Sequence, residues 1–258
     1  MIIWLASYLN SGNDFLKSLL SSYIFSKDGC YNEDLTQNID EFPNNLLFKK
    51  LGVDVDNVDE MNKNYINSQK ILNRKKDNIM FLQTYSCFIH NDKFKFTDRH
   101  NTLGVIYVVR DPRNIVFPLS QSFHLSEEQS LKNLLSKTYL GKESQSYCTT
   151  YLSSWKDHYN SWKVFTRFNK YLLVKYEDLI KDTEKTFLNI LKFIAHLGRV
   201  KFTLDEAKFK NTLKTTESKK LDENDTKKLD QIDQKIKYNL EKELEYEMKE
   251  LNYLENKF

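Results

Sequence analysis

Residues 2–20 read Ile2-Ile-Trp-Leu-Ala-Ser-Tyr-Leu-Asn-Ser-Gly-Asn-Asp-Phe-Leu-Lys-Ser-Leu-Leu20. From Ile2 to Tyr8 the run is nearly all apolar, the pattern of a parallel strand buried on both faces. Asn10-Ser-Gly-Asn13 breaks it, and Phe15, Leu16, Leu19, Leu20 and Tyr23 then recur at helical spacing. The stretch therefore reads as strand, loop and helix. A small-residue turn between strand and helix presents several free backbone N–H groups and the positive end of the helix dipole at one point, which is an anion site. Gly12 permits a positive φ or a close backbone approach, and the Ser11 hydroxyl can donate to a phosphate or sulfonate oxygen. An ordinary turn has the same composition, so this segment alone does not choose between the two. The pattern G-x-x-x-x-G-K-[ST] is absent, which argues against ordinary ATP or GTP hydrolysis.

Working outward, residues 79–85 (IMFLQTY), 105–109 (VIYVV) and 171–175 (YLLVK) read as three further buried strands. Helical patterns lie between and after them, near Leu131 to Leu135, Thr149 to Phe165 and Asp182 to Phe193. This alternation predicts an α/β fold, a doubly wound parallel sheet flanked by helices, in a single domain over residues 1–258. Ligands of such sheets bind beyond the carboxyl ends of the strands. Leu229, Ile232, Ile236, Leu240, Leu244, Met248 and Leu251 are spaced by threes and fours, predicting an amphipathic C-terminal helix over 222–257 that packs on the domain or supports a homodimer.

The 258-residue chain is 40% hydrophobic and 29% charged, a globular balance, and its 17 Phe and 15 Tyr supply large rings for the core. A net charge of +3 without a basic stripe gives no footprint for nucleic acid. Cys30, Cys87 and Cys148 match no metal-ligand spacing and read as free or buried thiols in a reducing compartment. No apolar run is long enough for a membrane span, and the opening residues lack the basic start of a signal peptide, so the expected location is cytoplasmic.

The segment Val105-Ile-Tyr-Val-Val-Arg-Asp-Pro-Arg-Asn114 sends Arg110 and Arg113 out of a buried strand through a proline-fixed turn. Two guanidiniums there suit a phosphate, or else Arg110 pairs with Asp111 or another carboxylate. Together with Ser7-Tyr-Leu-Asn-Ser-Gly-Asn-Asp-Phe15, this segment resembles the two nucleotide-binding motifs of the cytosolic-type sulfotransferase family. Ser154-Trp-Lys-Asp-His-Tyr-Asn-Ser-Trp162 looks like its paired-Trp helix, Lys175-Tyr-Glu-Asp-Leu179 like its strand end, and Glu250-Leu-Asn-Tyr-Leu254 is similar to its usual ending. The resemblance implies a P-loop-like fold and sulfuryl transfer, without a metal, from 3′-phosphoadenosine 5′-phosphosulfate to a hydroxyl or amine on a small-molecule, lipid or saccharide acceptor. By matched position it implies donor contacts from Ser11, Gly12, Asn13, Asp14, Phe15, Arg110 and Tyr176.

Several positions depart from the family pattern. The loop lysine that would neutralise the leaving phosphate is Asn10, and the following Thr is Asp14, whose carboxylate would repel a phosphate or cap its own helix. The Lys-Thr-His segment that carries the family's base is Gln83-Thr-Tyr85. Tyr85 is a poor base at neutral pH, leaving His90 as the nearest histidine. Where the family has a serine for the 3′-phosphate stands Pro118, with Ser120 as a stand-in, and residues 209–225 hold lysines but no Arg-Lys-Gly loop. An active, divergent transferase and a non-catalytic binding protein on the same fold are therefore the two readings, with a kinase disfavoured by the missing Walker lysine.

Overall fold

A computed structural model describes residues 1–75, 79–89, 94–140, 148–220 and 233–255. At its centre are β1 (Ile2–Ser7), β2 (Asp40–Glu41), β3 (Met80–Thr84) and β4 (Thr102–Val109). Two short strands, β5 (Tyr139–Leu140) and β6 (Thr150–Tyr151), pair antiparallel away from the sheet, and β7 (Tyr171–Lys175) completes it in the order β2-β3-β1-β4-β7. Every pairing within the five-stranded sheet is parallel.

The apolar run of β1 is explained by layers on both sides. Ile2, Trp4 and Ala6 face one apolar cluster and Ile3 and Leu5 the other, all with no solvent exposure. The helices are α1 (Asn13–Phe25), α2 (Asn45–Lys50), α3 (Val58–Lys75), α4 (Val116–Phe123), α5 (Glu127–Leu135), α6 (Trp155–Trp162), α7 (Tyr176–Lys181), α8 (Thr183–Gly198), α9 (Glu206–Thr216), α10 (Gln234–Glu243) and α11 (Glu245–Glu250). Leu16 and Leu19 of α1, Phe187 and Ile190 of α8 and Phe209 of α9 fill one face. Met61 of α3, Leu134 of α5, Trp155 and Trp162 of α6, Leu240 and Met248 fill the other. Because β3 and β4 flank β1 on opposite sides, the strand order reverses beside β1, and the crevice opens at its carboxyl end.

The structure refines the sequence reading in four places. The sheet has a fifth strand, β2, too short and too polar to show in the pattern, and β4 begins at Thr102 rather than Val105. The helix expected from Thr149 starts at Trp155, because Ser154 caps it by accepting from the Asp157 N–H at 3.2 Å, while Thr150 and Tyr151 pair with Leu140 and Tyr139. The C-terminal helix expected over 222–257 is, among the described residues, the pair α10 and α11 meeting at Leu244, where φ of −116° leaves the helical range; Leu229 and Ile232 lie outside those residues. Its stripe packs on the chain's own core, with Ile236, Leu240, Leu244, Met248 and Leu251 all buried, so the surface read as a homodimer face is covered from within. The three cysteines are free thiols.

Candidate active site

The loop between β1 and α1 is held in shape from three directions. Asn10 adopts a left-handed φ of 56° and Gly12 a φ of 90°. Asn13 Nδ2 donates to the Leu5 carbonyl at 3.0 Å, tying the head of α1 back to the strand. Arg110 has no solvent exposure, donates from Nη1 to the Asn10 carbonyl at 3.0 Å, and lies over the Tyr176 ring at 4.9 Å. Tyr176 in turn lies against Gly12: a Cβ at Gly12 would sit 2.0 Å from Tyr176 Cδ2. Glycine at this position is thus a steric requirement set by Tyr176, which was read as a donor contact from sequence.

The two arginines do not form a joint clamp. Arg113 is bound to Asp111 at 2.6 Å and to Glu241 of α10 at 2.7 Å, and it also donates to the Tyr253 carbonyl. Asp111 takes Arg113, whereas Arg110 turns under the loop. Glu177 accepts from the Asp111 N–H at 2.9 Å and from the Tyr253 hydroxyl at 2.8 Å. The Arg-Asp-Pro-Arg turn, the Tyr-Glu-Asp-Leu segment and the C-terminal Leu-Asn-Tyr-Leu therefore form one polar junction behind the loop.

In front of the loop is a cleft of about 360 Å³ that brings together Asn10 to Phe15, Tyr85, Phe117, Pro118, Gln121 and Ser122 of the α4 region, and Lys219. The N–H groups of the first turn of α1 have no intrahelical acceptor, and no side chain caps them. The capping role anticipated for Asp14 is not what the structure shows, because Asp14 Oδ1 accepts from Gln83 Nε2 at 3.1 Å. The same amide donates to the Tyr85 hydroxyl at 2.7 Å. Gln83 and Tyr85 thus form a hydrogen-bonded pair at the end of β3, and Gln83 is the hydrogen-bond partner of the Asp14 carboxylate.

Ser120 Oγ is turned into its own helix, donating to the Phe117 carbonyl at 2.8 Å, while Ser122 lines the cleft and accepts from Asn10 Nδ2 at 3.3 Å. His90 lies outside the described residues. Lys219 was missed as an individual site residue. It follows α9 in a short 3₁₀ turn, anchored by Glu33 at 3.3 Å and by the Tyr31 ring at 4.9 Å. The only sequence signal was the lysine-bearing stretch at 209–225. His158, also missed, is fully buried in α6, with Nδ1 2.8 Å from the Tyr107 hydroxyl and Nε2 3.1 Å from the Tyr85 carbonyl. Burial pushes its pKa down to about 3, so the imidazole is neutral, donating to the carbonyl and accepting from the phenol. It positions Tyr85, as Trp162 positions the next residue through Ser86 O at 3.0 Å.

Glu41 stands opposite Gln83 in the β2–β3 register. Burial pushes its carboxyl up to about 7, with Lys17 acting against that shift and Asp14 adding to it. The folded pKa lies above the ordinary value of 4.5, so stability is lost as pH rises between those values and the full penalty applies above them. Glu41→Gln, which stays neutral, is expected to stabilise the fold by up to about 3 kcal/mol at pH 8 and to change little at pH 4. Thermal unfolding at the two pH values checks this, and an equal shift at both would place the benefit elsewhere.

A search of curated proteins returns no significant match. Among solved structures, a retinol dehydratase in complex with androsterone and the inactive cofactor PAP superposes with a TM-score of 0.56 at 13% identity, covering 96% of this chain and 80% of that one. The same enzyme with retinol and PAP gives 0.55 at 13% identity, covering 96% and 81%. The mouse sulfotransferase SULT7A1 complexed with PAP gives 0.50 at 15% identity and covers 86% of this chain; the match spans 66% of the mouse protein, just under two thirds of its length. At these identities the likeness concerns the fold. The sulfotransferase domain family matches residues 2–250, nearly the whole sequence, and the chain belongs to that family.

Proposed function

We propose that the chain transfers a sulfuryl group from 3′-phosphoadenosine 5′-phosphosulfate to a hydroxyl or amine of a small-molecule, lipid or saccharide acceptor. The observation that carries this reading is the orientation of Asp14. Its carboxylate is held by Gln83, leaving the first N–H groups of α1 for the donor's phosphate, and Lys219 brings a cation to the same cleft. The attacking oxygen or nitrogen forms a bond to sulfur while the bond from sulfur to the 5′-phosphate oxygen breaks. Negative charge then develops on the leaving phosphate, where the helix terminus, the Ser11 hydroxyl and Lys219 stabilise it in place of the lysine absent at Asn10. The proton released by the acceptor goes to Asp14, the one carboxylate lining the cleft among the described residues.

A carboxylate about 4 Å from a donor oxygen would repel it by roughly 4 kcal/mol at an effective dielectric of 20, so Asp14 weakens donor binding while serving the proton transfer. Asp14→Asn is expected to bind the product nucleotide, 3′-phosphoadenosine 5′-phosphate, at least tenfold more tightly and to transfer sulfate at least a hundredfold more slowly. Calorimetric titration and transfer of radiolabelled sulfate to a broad acceptor panel measure the two effects. Nucleotide binding by the parent chain without transfer to any acceptor would overturn the enzymatic reading in favour of a binding protein on this fold.

A further inference from the structure

Opposite the cleft, at the amino ends of the strands, the sheet carries a second concave surface of about 650 Å³. Ile79 immediately precedes β3 and Lys170 immediately precedes β7, and the end of α8 supplies His196, Leu197, Gly198 and Arg199. Apolar side chains are unusually open here: Ile79 is 37% exposed, Phe168 54% and Val200 63%. Ile79 and Val200 flank Gly198, since a Cβ there would lie 3.2 Å from one and 3.7 Å from the other, so they form part of one continuous patch.

The charge at this surface has one sign. Lys170, His196 and Arg199 line it, and no carboxylate does among the described residues. Lys170 Nζ is fixed by donation to the Thr102 carbonyl at 3.0 Å. Burial lowers its pKa, and the neighbouring Arg199 charge lowers it further, as expected for two cations sharing a site. The negative end of the α8 dipole accounts for a cation at Arg199, but not for Lys170 on a separate segment or for the exposed Phe168 and Val200. Cations with no carboxylate partner among the described residues, beside exposed apolar side chains, match a surface that offers anionic groups above hydrocarbon. Among the described residues, no helix is long and apolar enough to cross a membrane, so the contact suited to this face is peripheral.

We propose that this face docks on a bilayer containing anionic phospholipids, with Lys170, His196 and Arg199 against the headgroups and Ile79, Phe168 and Val200 in the interfacial layer. Docking leaves the cleft at the opposite end of the sheet open to solution, and it does not depend on the sulfotransfer reading.

The test is co-sedimentation of the full chain with vesicles of phosphatidylcholine, with and without phosphatidylserine. Binding is expected only with phosphatidylserine. Lys170→Gln with Arg199→Gln should weaken it roughly 25-fold, about fivefold per charge removed. Phe168→Ser with Val200→Ser, both at exposed positions, should remove the binding that persists at high salt while leaving the thermal unfolding midpoint unchanged. Soluble glycerophosphoserine at millimolar concentration should not compete, which separates a bilayer surface from a site for a lone headgroup. Equal binding to both vesicle types, retention by the charge-removed variant, or full displacement by polyglutamate, which would indicate an acidic-protein surface, would each overturn the proposal.

Discussion

Arg110→Ala is expected to weaken binding of 3′-phosphoadenosine 5′-phosphate at least tenfold and as much as a hundredfold, and to lower the thermal unfolding midpoint as well. Arg110 does not line the cleft, so the effect is transmitted through the loop. Its Nη1 holds the Asn10 carbonyl at 3.0 Å and so fixes the left-handed φ of 56° at Asn10, a conformation that asparagine adopts more readily than most residues other than glycine. Removing a charged donor from this part-buried carbonyl costs roughly 1.5–3 kcal/mol at most, and the loop loses both that bond and the positive charge beneath its anion site. The Tyr176 ring, 4.9 Å from the guanidinium, also loses the surface on which it packs. Calorimetric titration with the nucleotide, with circular dichroism to confirm folding, reads the outcome. Arg113→Ala is the control: it breaks the contacts to Asp111 and Glu241 on the far side of the turn and should affect stability more than nucleotide affinity. Unchanged affinity in a folded Arg110→Ala protein would remove the loop-bracing role.

The different fates of the two arginines show where sequence reading stops. The frame was legible because burial on both faces imposes a local signature: Ile2 to Ser7 and Met80 to Thr84 had no polar alternation to suggest another element, and the edge strand Tyr171 to Lys175 shows the same apolar run although only Val174 in it is buried. Strand β2 was not legible, since Asp40 and Glu41 owe their pairing to β3 and not to their own preference. Within the candidate site, the loop residues Asn10 to Phe15 and Tyr85 come together around one cleft, but their partners are distant in the chain. Arg110 and Arg113 look equivalent three residues apart. Asp111, Glu241 and the Tyr253 carbonyl together claim Arg113 as a structural ion pair, and two of those partners come from the far end of the chain. Lys219 reaches the cleft from more than 200 residues beyond the loop, held by Glu33 and Tyr31, and no periodicity announces such a meeting. Asp14 was expected at its own helix terminus because local capping is the contact a sequence displays. Its bond to Gln83 spans 69 positions and depends on β3 lying next to β1.

Gly12→Ala should be the most damaging small substitution in the loop, for two separable reasons. At φ 90° an L-residue is strained whatever surrounds it, a cost of about 1–2 kcal/mol, and the added methyl would meet Tyr176 Cδ2 at 2.0 Å and Cε2 at 2.3 Å. Tyr176 cannot swing away freely: it is 2% exposed, packed in the same cluster as Phe15 and Leu179, with Arg110 over its ring. The clash should therefore propagate from Gly12 through Tyr176 to Arg110 and on to Asn10, lowering the unfolding midpoint by several degrees and nucleotide affinity by more than tenfold. A double-mutant cycle with Tyr176→Ala distinguishes the two causes. Removing the ring relieves the steric part and leaves the backbone strain, so the double variant should be more stable than the sum of the single effects predicts, by at least about 1 kcal/mol. Strict additivity would mean that the loop backbone shifts to admit the methyl and that Tyr176 does not set the requirement for glycine.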